Sequence, residues 1–168
     1  MAYIKRDLEP KILLLSREYS AILITGPRQV GKTTVLRQLM HKNRTYVTLD
    51  DLEDRSMAQN DPALFLQLHS RPVLIDEVQY APQLFSYIKI EIDNGAEPGS
   101  FWLTGSQAFH MMELAQESLA GRAALLHMPS LSQHYRTRTE IRSWEASSRR
   151  TRRFLCGLSR ARNRRSTS

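Results

Sequence analysis

Residues 26–33 of the chain read Gly26-Pro27-Arg28-Gln29-Val30-Gly31-Lys32-Thr33, which fits the pattern G-x-x-x-x-G-K-[ST] at every fixed position. The two glycines let the backbone turn tightly, so that consecutive N–H groups point inward at a phosphate, and the following helix adds the positive end of its dipole. In such a loop the lysine reaches the β- and γ-phosphates and the next hydroxyl binds Mg²⁺. The pattern predicts a phosphate-binding loop whose candidate nucleotide-binding residues are Gly26, Pro27, Arg28, Gln29, Val30, Gly31, Lys32, Thr33 and Thr34.

The segments on either side of this loop have the periodicity that the motif requires. Residues 21–25 (A-I-L-I-T) form a continuous apolar run typical of a short buried strand, and residues 33–40 have the apolar spacing of a helix. A glycine turn that binds nothing is the structural alternative. The order of strand, loop and helix favours phosphate binding over that alternative.

A second apolar run, residues 72–77 (P-V-L-I-D-E), ends in two carboxylates. Such a run predicts a strand buried on both faces, and in a parallel sheet its carboxyl end lies at the edge that carries the phosphate loop. The run looks like a Walker B element. We expect Asp76 to hold Mg²⁺ together with Thr33, and Glu77 to be the catalytic residue that polarises the attacking water.

Residues 100–106 (S-F-W-L-T-G-S) predict a further strand that ends in small polar side chains. In an ATPase sheet this strand lies between the loop strand and the carboxylate strand, so a hydroxyl at its tip can bond the attacking water or the γ-phosphate. Thr104 and Ser106 are both catalytic candidates, and the sequence does not choose between them. Ser106 is equally suited to cap a helix that begins near Gln107.

The arginine before the last predicted strand is the remaining catalytic candidate. A helix is expected over 107–119, and residues 123–128 (A-A-L-L-H-M) predict the strand that follows. Arg122 could act on a γ-phosphate, in its own chain or from a neighbouring subunit, because arginine stabilises the charge that develops there. An ordinary surface charge is the alternative.

The other expected elements are a helix within 3–19, a strand over 44–50, and a helix over 82–93. Asp61 and Pro62 predict one more helix start, with the aspartate as N-cap and the proline in the first turn. The acids after the second strand are interpreted as a solvated loop rather than a metal or substrate site; they are Asp50, Asp51, Glu53 and Asp54.

Composition limits the kind of protein further. A single cysteine, Cys156, excludes an intramolecular disulfide, and the five histidines are not at zinc-ligand spacings with it. The first residues contain no apolar targeting segment, and no later apolar run approaches the roughly 20 residues that span a bilayer. We expect a cytoplasmic protein without a membrane partner or a structural metal.

The formal net charge of +7 is concentrated at one end of the chain. Residues 135–168 hold 11 arginines, no lysine and 2 glutamates, whereas residues 1–134 hold 13 Lys and Arg against 15 Asp and Glu. A basic tail can act as a nucleic-acid arm. Any contact with nucleic acid is therefore expected through the tail alone.

Taken together, the motifs resemble those of the AAA-type ATPases described only as predicted ATP-binding proteins with a C-terminal domain of unknown function. The matching segments fall within residues 1 to about 134 and read I-K-R-D-L at 4–8, I-T-G-P-R-Q-V-G-K-T-T at 24–34, L-I-D-E-V-Q at 74–79, L-T-G-S-Q at 103–107 and S-L-A-G-R at 118–122. The resemblance implies a three-layer α/β/α sandwich with a parallel sheet of roughly five strands, and ATP with Mg²⁺ bound around Lys32. The chain has no guanine-reading N-K-x-D sequence, which also favours ATP over GTP.

The resemblance ends near Tyr135. Family members continue into a substantial C-terminal domain, whereas residues 135–168 are rich in Arg and Ser and lack a sustained apolar period. We expect an ATP-binding domain over residues 1–134, followed by a disordered tail. One hypothesis for the tail is an out-of-frame translation after a frameshift near codon 134, and the other is a genuine basic arm.

The favoured function is ATP binding coupled to slow hydrolysis, with motion passed to a protein partner, to a homo-oligomer or to the family's second domain. A nucleotide-switched DNA- or RNA-binding module is the first alternative, and its affinity would fall steeply with salt. A small-molecule kinase is the second, since kinases share the loop. The paired acids Asp76 and Glu77 favour water over an acceptor hydroxyl as the nucleophile.

Overall fold

The centre of the computed structural model is a parallel sheet of five strands. Their bounds are β1 Ala21–Thr25, β2 Thr45–Thr48, β3 Val73–Asp76, β4 Phe101–Gly105 and β5 Ala123–His127. The strands lie side by side in the order β2-β3-β4-β1-β5, and every pairing between neighbours is parallel. The expected position of β4, between the loop strand β1 and the carboxylate strand β3, is confirmed.

The structure describes residues 3, 5–106, 113, 115 and 117–130. Contacts divide the chain into one unit over residues 1–129 and another over 130–168, of which only Ser130 is described. The expectation of a disordered tail over 135–168 therefore lies outside the described residues. The start of the helix expected over 107–119 lies outside them too, but residues 113, 115 and 117–119 are helical.

Helices cover both faces of the sheet. Their bounds are α1 Glu9–Glu18, α2 Lys32–Leu39, α3 Leu52–Asn60, α4 Pro62–Leu68 and α5 Leu84–Asp93, with a short 3-10 helix at Val78–Tyr80. On one face, a core cluster joins side chains of the sheet to α1 and α2; it contains Ile12, Ile22, Ile24, Val35, Leu36, Leu74 and Trp102. On the other, a second cluster joins the sheet to α3, α4 and α5; it includes Leu23, Ala58, Phe65, Ile75, Leu84, Phe85, Ile88 and Leu103.

Burial on both faces explains the continuous apolar runs of the central strands. All residues of β1, β3 and β4 are buried, whereas the edge strands β2 and β5 are buried only in part. A strand covered by helices above and below has no solvent side on which polar residues would alternate. The expected three-layer α/β/α architecture is confirmed.

The acidic segment after β2 differs from its expected structure. Asp51 is the N-cap of α3, and its carboxylate accepts hydrogen bonds from the backbone N–H groups of Glu53 at 2.9 Å and Asp54 at 3.1 Å. Glu53 and Asp54 lie in the first turn, where negative charge stabilises the positive end of the helix dipole. The prediction of a solvated loop was wrong for Asp51, Glu53 and Asp54, because these three acids begin a helix, whereas Asp50 lies in the exposed turn before it.

The helix start predicted at Asp61 is confirmed. The Asp61 carboxylate accepts a hydrogen bond from the Leu64 N–H at 2.9 Å, and Pro62 is the first residue of α4. Proline is well tolerated there because the first N–H groups of a helix have no partner within it.

Candidate functional site

The loop between β1 and α2 lies at the carboxyl edge of the sheet. It runs from Gly26 to Gly31, and the ends of β3 and β4 lie at the same edge because these strands are parallel to β1. Ligands of open parallel sheets bind outside the carboxyl ends of the strands. The segments that carry most of the candidate residues therefore meet at one edge.

Backbone geometry at two positions of the loop requires glycine. Gly26 has φ 153°, and a Cβ atom there would lie 2.3 Å from the carbonyl oxygen of Met128, which follows β5. Gly31 has φ 88° and is the left-handed N-cap of α2, although a Cβ atom there would have space. The two glycines of the motif thus serve different needs, one a close backbone approach and the other a turn into the helix.

The other loop residues divide by exposure. Pro27, Arg28 and Gln29 form the exposed tip, and Gln29 is in a left-handed conformation at φ 62°. Val30 is buried in the core cluster beside α2, while Thr34 is exposed in the first turn of that helix. The buried Val30 side chain thus anchors the loop to the core, while the tip of the loop is exposed to solvent.

Lys32 begins α2, and its ammonium group lies back against the loop. Only 4% of the residue is exposed, and Nζ donates hydrogen bonds to the carbonyl oxygens of Gly26 at 3.0 Å and Pro27 at 2.9 Å. Burial lowers the pKa of Lys32, while the negative charges of Glu77 and Asp76 act to raise it. Lys32 is a buried cation that interacts electrostatically with both carboxylates.

Asp76, at the end of β3, is a buried carboxylate with three hydroxyl partners. Thr33 Oγ1 lies 2.8 and 2.9 Å from its two oxygens, the Tyr46 hydroxyl donates to Oδ2 at 3.2 Å, and the Thr104 hydroxyl donates to Oδ1. Asp76 also raises the pKa of Tyr46, whose shift comes mainly from burial. The three donors stabilise a carboxylate that would be costly to bury alone.

The oxygen atoms of Thr33 and Asp76 are hard donors of the kind that Mg²⁺ prefers. They lie 2.8 Å apart, one at the start of α2 and the other at the end of β3. Among the described residues, no group of three or more His, Cys, Asp and Glu side chains is placed to hold a metal ion. Protein sites for Mg²⁺ commonly supply one or two carboxylates and leave the remaining positions to phosphates and water, so this pair fits the ion together with a nucleotide.

Glu77 follows β3 in a left-handed conformation, with φ 57° and ψ 44°. Its N–H donates to Thr104 Oγ1 at 3.2 Å, and its carboxylate accepts a hydrogen bond from the Gln79 amide, which also bonds Ser106. A non-glycine residue in this region is strained, and such residues cluster at functional sites. The two candidate hydroxyls at the end of β4 thus have different partners: Thr104 connects Asp76 to the Glu77 backbone, and Ser106 connects to Gln79.

The structure does not bring Arg122 to this edge. The residue precedes β5, whose first residue Ala123 pairs with Ala21 at the amino end of β1, so Arg122 lies at the edge opposite the loop. Its Nε donates to Asp93 at the end of α5, with a distance of 2.6 Å. This position rules out contact with a γ-phosphate bound at Lys32 of the same chain. Action from a neighbouring subunit stays a prediction.

Three residues of the site were missed by the sequence analysis. Tyr46 bonds Asp76, Gln79 bonds Glu77, and Arg6 Nη2 donates to the carbonyl oxygen of Val30 in the loop at 2.5 Å. Arg6 and Gln79 lie in segments quoted for the family resemblance, but the resemblance assigned no role to either residue. For Tyr46, the alternation of side chains along β2 predicts the face of the sheet on which the residue lies, but it does not predict a hydrogen bond to Asp76 on the next strand.

Comparison with known proteins agrees with this geometry. A family model described as an AAA domain matches residues 18–135, more than half of the chain. Uncharacterized proteins of Mycobacterium bovis and of Mycobacterium tuberculosis are each 34% identical over 131 residues, which is 76% of this chain and 29% of the relative. The chain thus spans less than a third of the length of these curated relatives.

Among solved structures, a Walker-type ATPase of Pyrococcus abyssi has a similar fold. Its TM-score is 0.53 at 20% sequence identity, and the match covers 76% of this chain and 54% of that one. At this identity the likeness shows the fold alone. In the part of this chain that the structure describes, no helix has the length and apolar character needed to cross a membrane.

Proposed function

Because the chain belongs to the AAA domain family, we propose that it is an ATPase that binds ATP with Mg²⁺ at the loop around Lys32 and hydrolyses it. The observation that carries the proposal is the meeting of Lys32, Asp76 and Glu77 at one edge of the sheet: Lys32 begins α2, Asp76 ends β3 and bonds Thr33 beside Lys32, and Glu77 follows Asp76. A cation for phosphates, a metal-binding carboxylate and a carboxylate for water are the parts that phosphoryl transfer to water requires.

Binding rests on the loop, on the start of α2 and on Lys32. The first N–H groups of α2 and the positive end of its dipole favour anions. Lys32 adds a full charge that is already desolvated and is held by neutral carbonyl oxygens. Thr33 and Asp76 would hold Mg²⁺, which supplies charge neutralisation at the phosphates when it is bound.

Glu77 is the proposed general base for hydrolysis. Its backbone N–H donates to the Thr104 hydroxyl at the end of β4, and its negative charge acts to raise the pKa of Lys32. A carboxylate so placed can take the proton of an attacking water. In this proposal the Thr104 hydroxyl helps to hold Asp76 and the Glu77 backbone in place, whereas the Ser106 hydroxyl accepts a hydrogen bond from the Gln79 amide.

The first test is nucleotide binding by the Lys32→Ala variant. We expect ATP affinity, measured by titration calorimetry with Mg²⁺, to fall about 10-fold or more, because a charge-assisted contact to phosphate is lost. Lys42→Ala is the matched control, since Lys42 is an exposed lysine just after α2, and its affinity should equal that of the unaltered protein. Equal affinity in Lys32→Ala would contradict the proposal.

The second test separates hydrolysis from binding. Glu77→Gln keeps the shape of the side chain and an oxygen that can accept from Gln79, yet it cannot take a proton. We expect kcat for ATP hydrolysis to fall roughly 10²- to 10⁴-fold while ATP still binds. Glu53→Gln, an exposed position in α3, should hydrolyse ATP at the unaltered rate. Full activity in Glu77→Gln would mean that Glu77 is not the base.

Hydrolysis is proposed to serve a protein partner or a homo-oligomer. The support is the length of the curated relatives, of which the matched region is 29%. The matched region is thus a minor part of each relative's chain, and we infer that a part outside it would couple hydrolysis to a partner.

A further inference from the structure

The Gln79 side chain lies between the proposed base and the tip of β4. Its amide nitrogen donates both to the Glu77 carboxylate and to Ser106 Oγ, the latter at 3.1 Å, and its amide oxygen accepts from the Ser106 N–H at 3.4 Å. Both the nitrogen and the oxygen of this amide are therefore engaged. The bonds connect two segments that are separate in sequence, the end of β3 and the end of β4.

Chemistry fixes the orientation of this amide independently at each end. The backbone N–H of Ser106 can only donate, so the amide atom that faces it must be the oxygen. An ionised Glu77 carboxylate can only accept, so the amide atom that faces it must be the nitrogen. Both requirements select the same rotamer, and a flipped amide would lose both contacts.

The backbone that carries Gln79 is firmly held. Gln79 is the middle residue of the 3-10 helix, between Val78, which is fully buried, and Tyr80, which is partly buried and packs against the core. The Tyr80 N–H donates to the carbonyl oxygen of Glu77 at 3.1 Å, and Arg55 lies 3.8 Å from the centre of the Tyr80 ring. Because the backbone of this turn is held in place, the Gln79 side chain can fix the orientation of the Glu77 carboxylate.

We propose that Gln79 is a positioning residue that holds the Glu77 carboxylate in its working orientation and connects that carboxylate to Ser106 at the end of β4. This inference rests on the proposed role of Glu77 in ATP hydrolysis. Gln79 acts through Glu77 and is not itself a catalytic residue.

Gln79 ties the Glu77 carboxylate to Ser106 at the end of β4, and that end lies at the edge of the sheet that carries the phosphate loop. Without the amide, the three rotatable bonds of the glutamate side chain would spread the carboxylate over several rotamers. A general base that is misplaced by about 1 Å costs on the order of 100-fold in rate.

The test compares binding and turnover in variants of the full chain. Gln79→Met keeps the length of the side chain but cannot form hydrogen bonds to Glu77, and we expect kcat to fall about 10- to 100-fold with ATP affinity unchanged. Gln79→Glu can still accept from the Ser106 N–H but repels Glu77, and should lose turnover in the same way. Gln83→Met is the matched control, because the Gln83 amide bonds the Gln59 carbonyl oxygen at 2.8 Å and should leave kcat unaltered.

A double variant distinguishes positioning from a general structural effect. If Gln79 acts only through Glu77, adding Gln79→Met to Glu77→Gln should not lower the residual rate further. A fall as large as that in the single variant would overturn the proposal. Unaltered or faster turnover in Gln79→Met and Gln79→Glu, with Glu77→Gln inactive, would also overturn it and leave the proposed function standing. Full activity in Glu77→Gln would overturn both.

Discussion

Lys32 is charged and buried at the same time. The hydrogen-bond acceptors of its ammonium group are two carbonyl oxygens of the loop, and burial lowers its pKa below the usual 10.5 although Glu77 and Asp76 oppose the shift. A phosphate group placed beside Nζ would add negative charge and raise the pKa again. Protonation of Lys32 and binding of a phosphate ligand therefore favour each other.

This linkage predicts how ATP affinity depends on pH. Below the lowered pKa, Lys32 is charged with or without ligand; above it, the free protein must take up a proton in order to bind. Affinity should therefore fall as the pH rises through the lowered pKa toward 10.5, while phosphate groups, with a second pKa of about 6, are already fully ionised. Titration calorimetry at increasing pH, from neutral pH up to the usual lysine pKa of 10.5, measures this slope.

Lys32→Arg provides the control, because a guanidinium does not lose its proton in this range. If that variant binds ATP, its affinity should not follow the same slope. An equal slope in both proteins would place the titrating group elsewhere.

At the residue scale, spacing rules predict candidates that a motif or a strand end singles out, and they miss candidates that only a contact with a neighbouring residue reveals. Lys32 and Asp76 follow from the positions of a motif and of a strand end, and the structure places them at the same edge. Tyr46 and Gln79 could not be found in this way, because a phenol that reaches the next strand, or an amide that bridges two strand ends, depends on register and rotamer. Arg122 was a candidate by position in sequence, and the direction of β5 places it at the opposite edge.

At the scale of elements, the start of a helix was predicted correctly where its capping residue was supported by a second signal. Asp61 followed by Pro62 gave the start of α4 correctly, because two independent signals coincide there. Asp51 is an equally good N-cap. The helix that it begins, α3, is mostly polar, so in the sequence the acids around Asp51 look like part of a solvated loop. A polar helix lacks the apolar periodicity by which a helix is predicted from sequence.

The loop between β1 and α2 yields a prediction at this scale. In Gly26→Ala, the new Cβ atom would lie 2.3 Å from the Met128 carbonyl oxygen, so the loop or the end of β5 must move. We expect a loss of about 1–3 kcal/mol in the free energy of unfolding and a clear loss of ATP affinity. Thermal unfolding and titration calorimetry measure the two effects.

Gly95→Ala separates backbone strain from the effect on the loop. Gly95 has φ 93°, a Cβ atom there would have nothing within 4 Å, and the residue follows α5 rather than the phosphate loop. The variant should lose stability through strain and bind ATP normally. Normal binding by Gly26→Ala would mean that the close approach to Met128 is not needed for the site.

At the scale of the whole molecule, apolar runs predicted the layer architecture. Strands that read as continuous apolar segments must be covered on both faces, and the two core clusters lie on the two faces of the sheet. The predicted position of β4 between β1 and β3 came from the arrangement of ATPase sheets rather than from periodicity, since spacing along a chain does not state which strands become neighbours. In the structure, β1 pairs with both β4 and β5, although neither strand is its neighbour in sequence.

Charge divides the chain at the point where the family match ends. The AAA domain match stops at residue 135, and residues 135–168 hold 11 arginines against 2 glutamates. Residues 1–134 carry slightly more acids than bases. We propose that nucleotide binding belongs to residues 1–134 and that any polyanion binding belongs to the segment after them.

Ending the chain after His134 tests this division. Affinity for ATP should stay unchanged, because Lys32, Thr33 and Asp76 all lie in the retained part. Binding to a single-stranded DNA oligonucleotide should be strong for the full chain at low salt, should fall steeply as salt is added, and should be absent from the shortened chain, because arginine contacts to phosphates release counterions. Lys32→Ala in the full chain is the reciprocal control, since it should lose ATP and keep the oligonucleotide. A shortened chain that still binds DNA with the same salt dependence would place a nucleic-acid site within residues 1–134. One that loses ATP binding would move the domain boundary beyond His134.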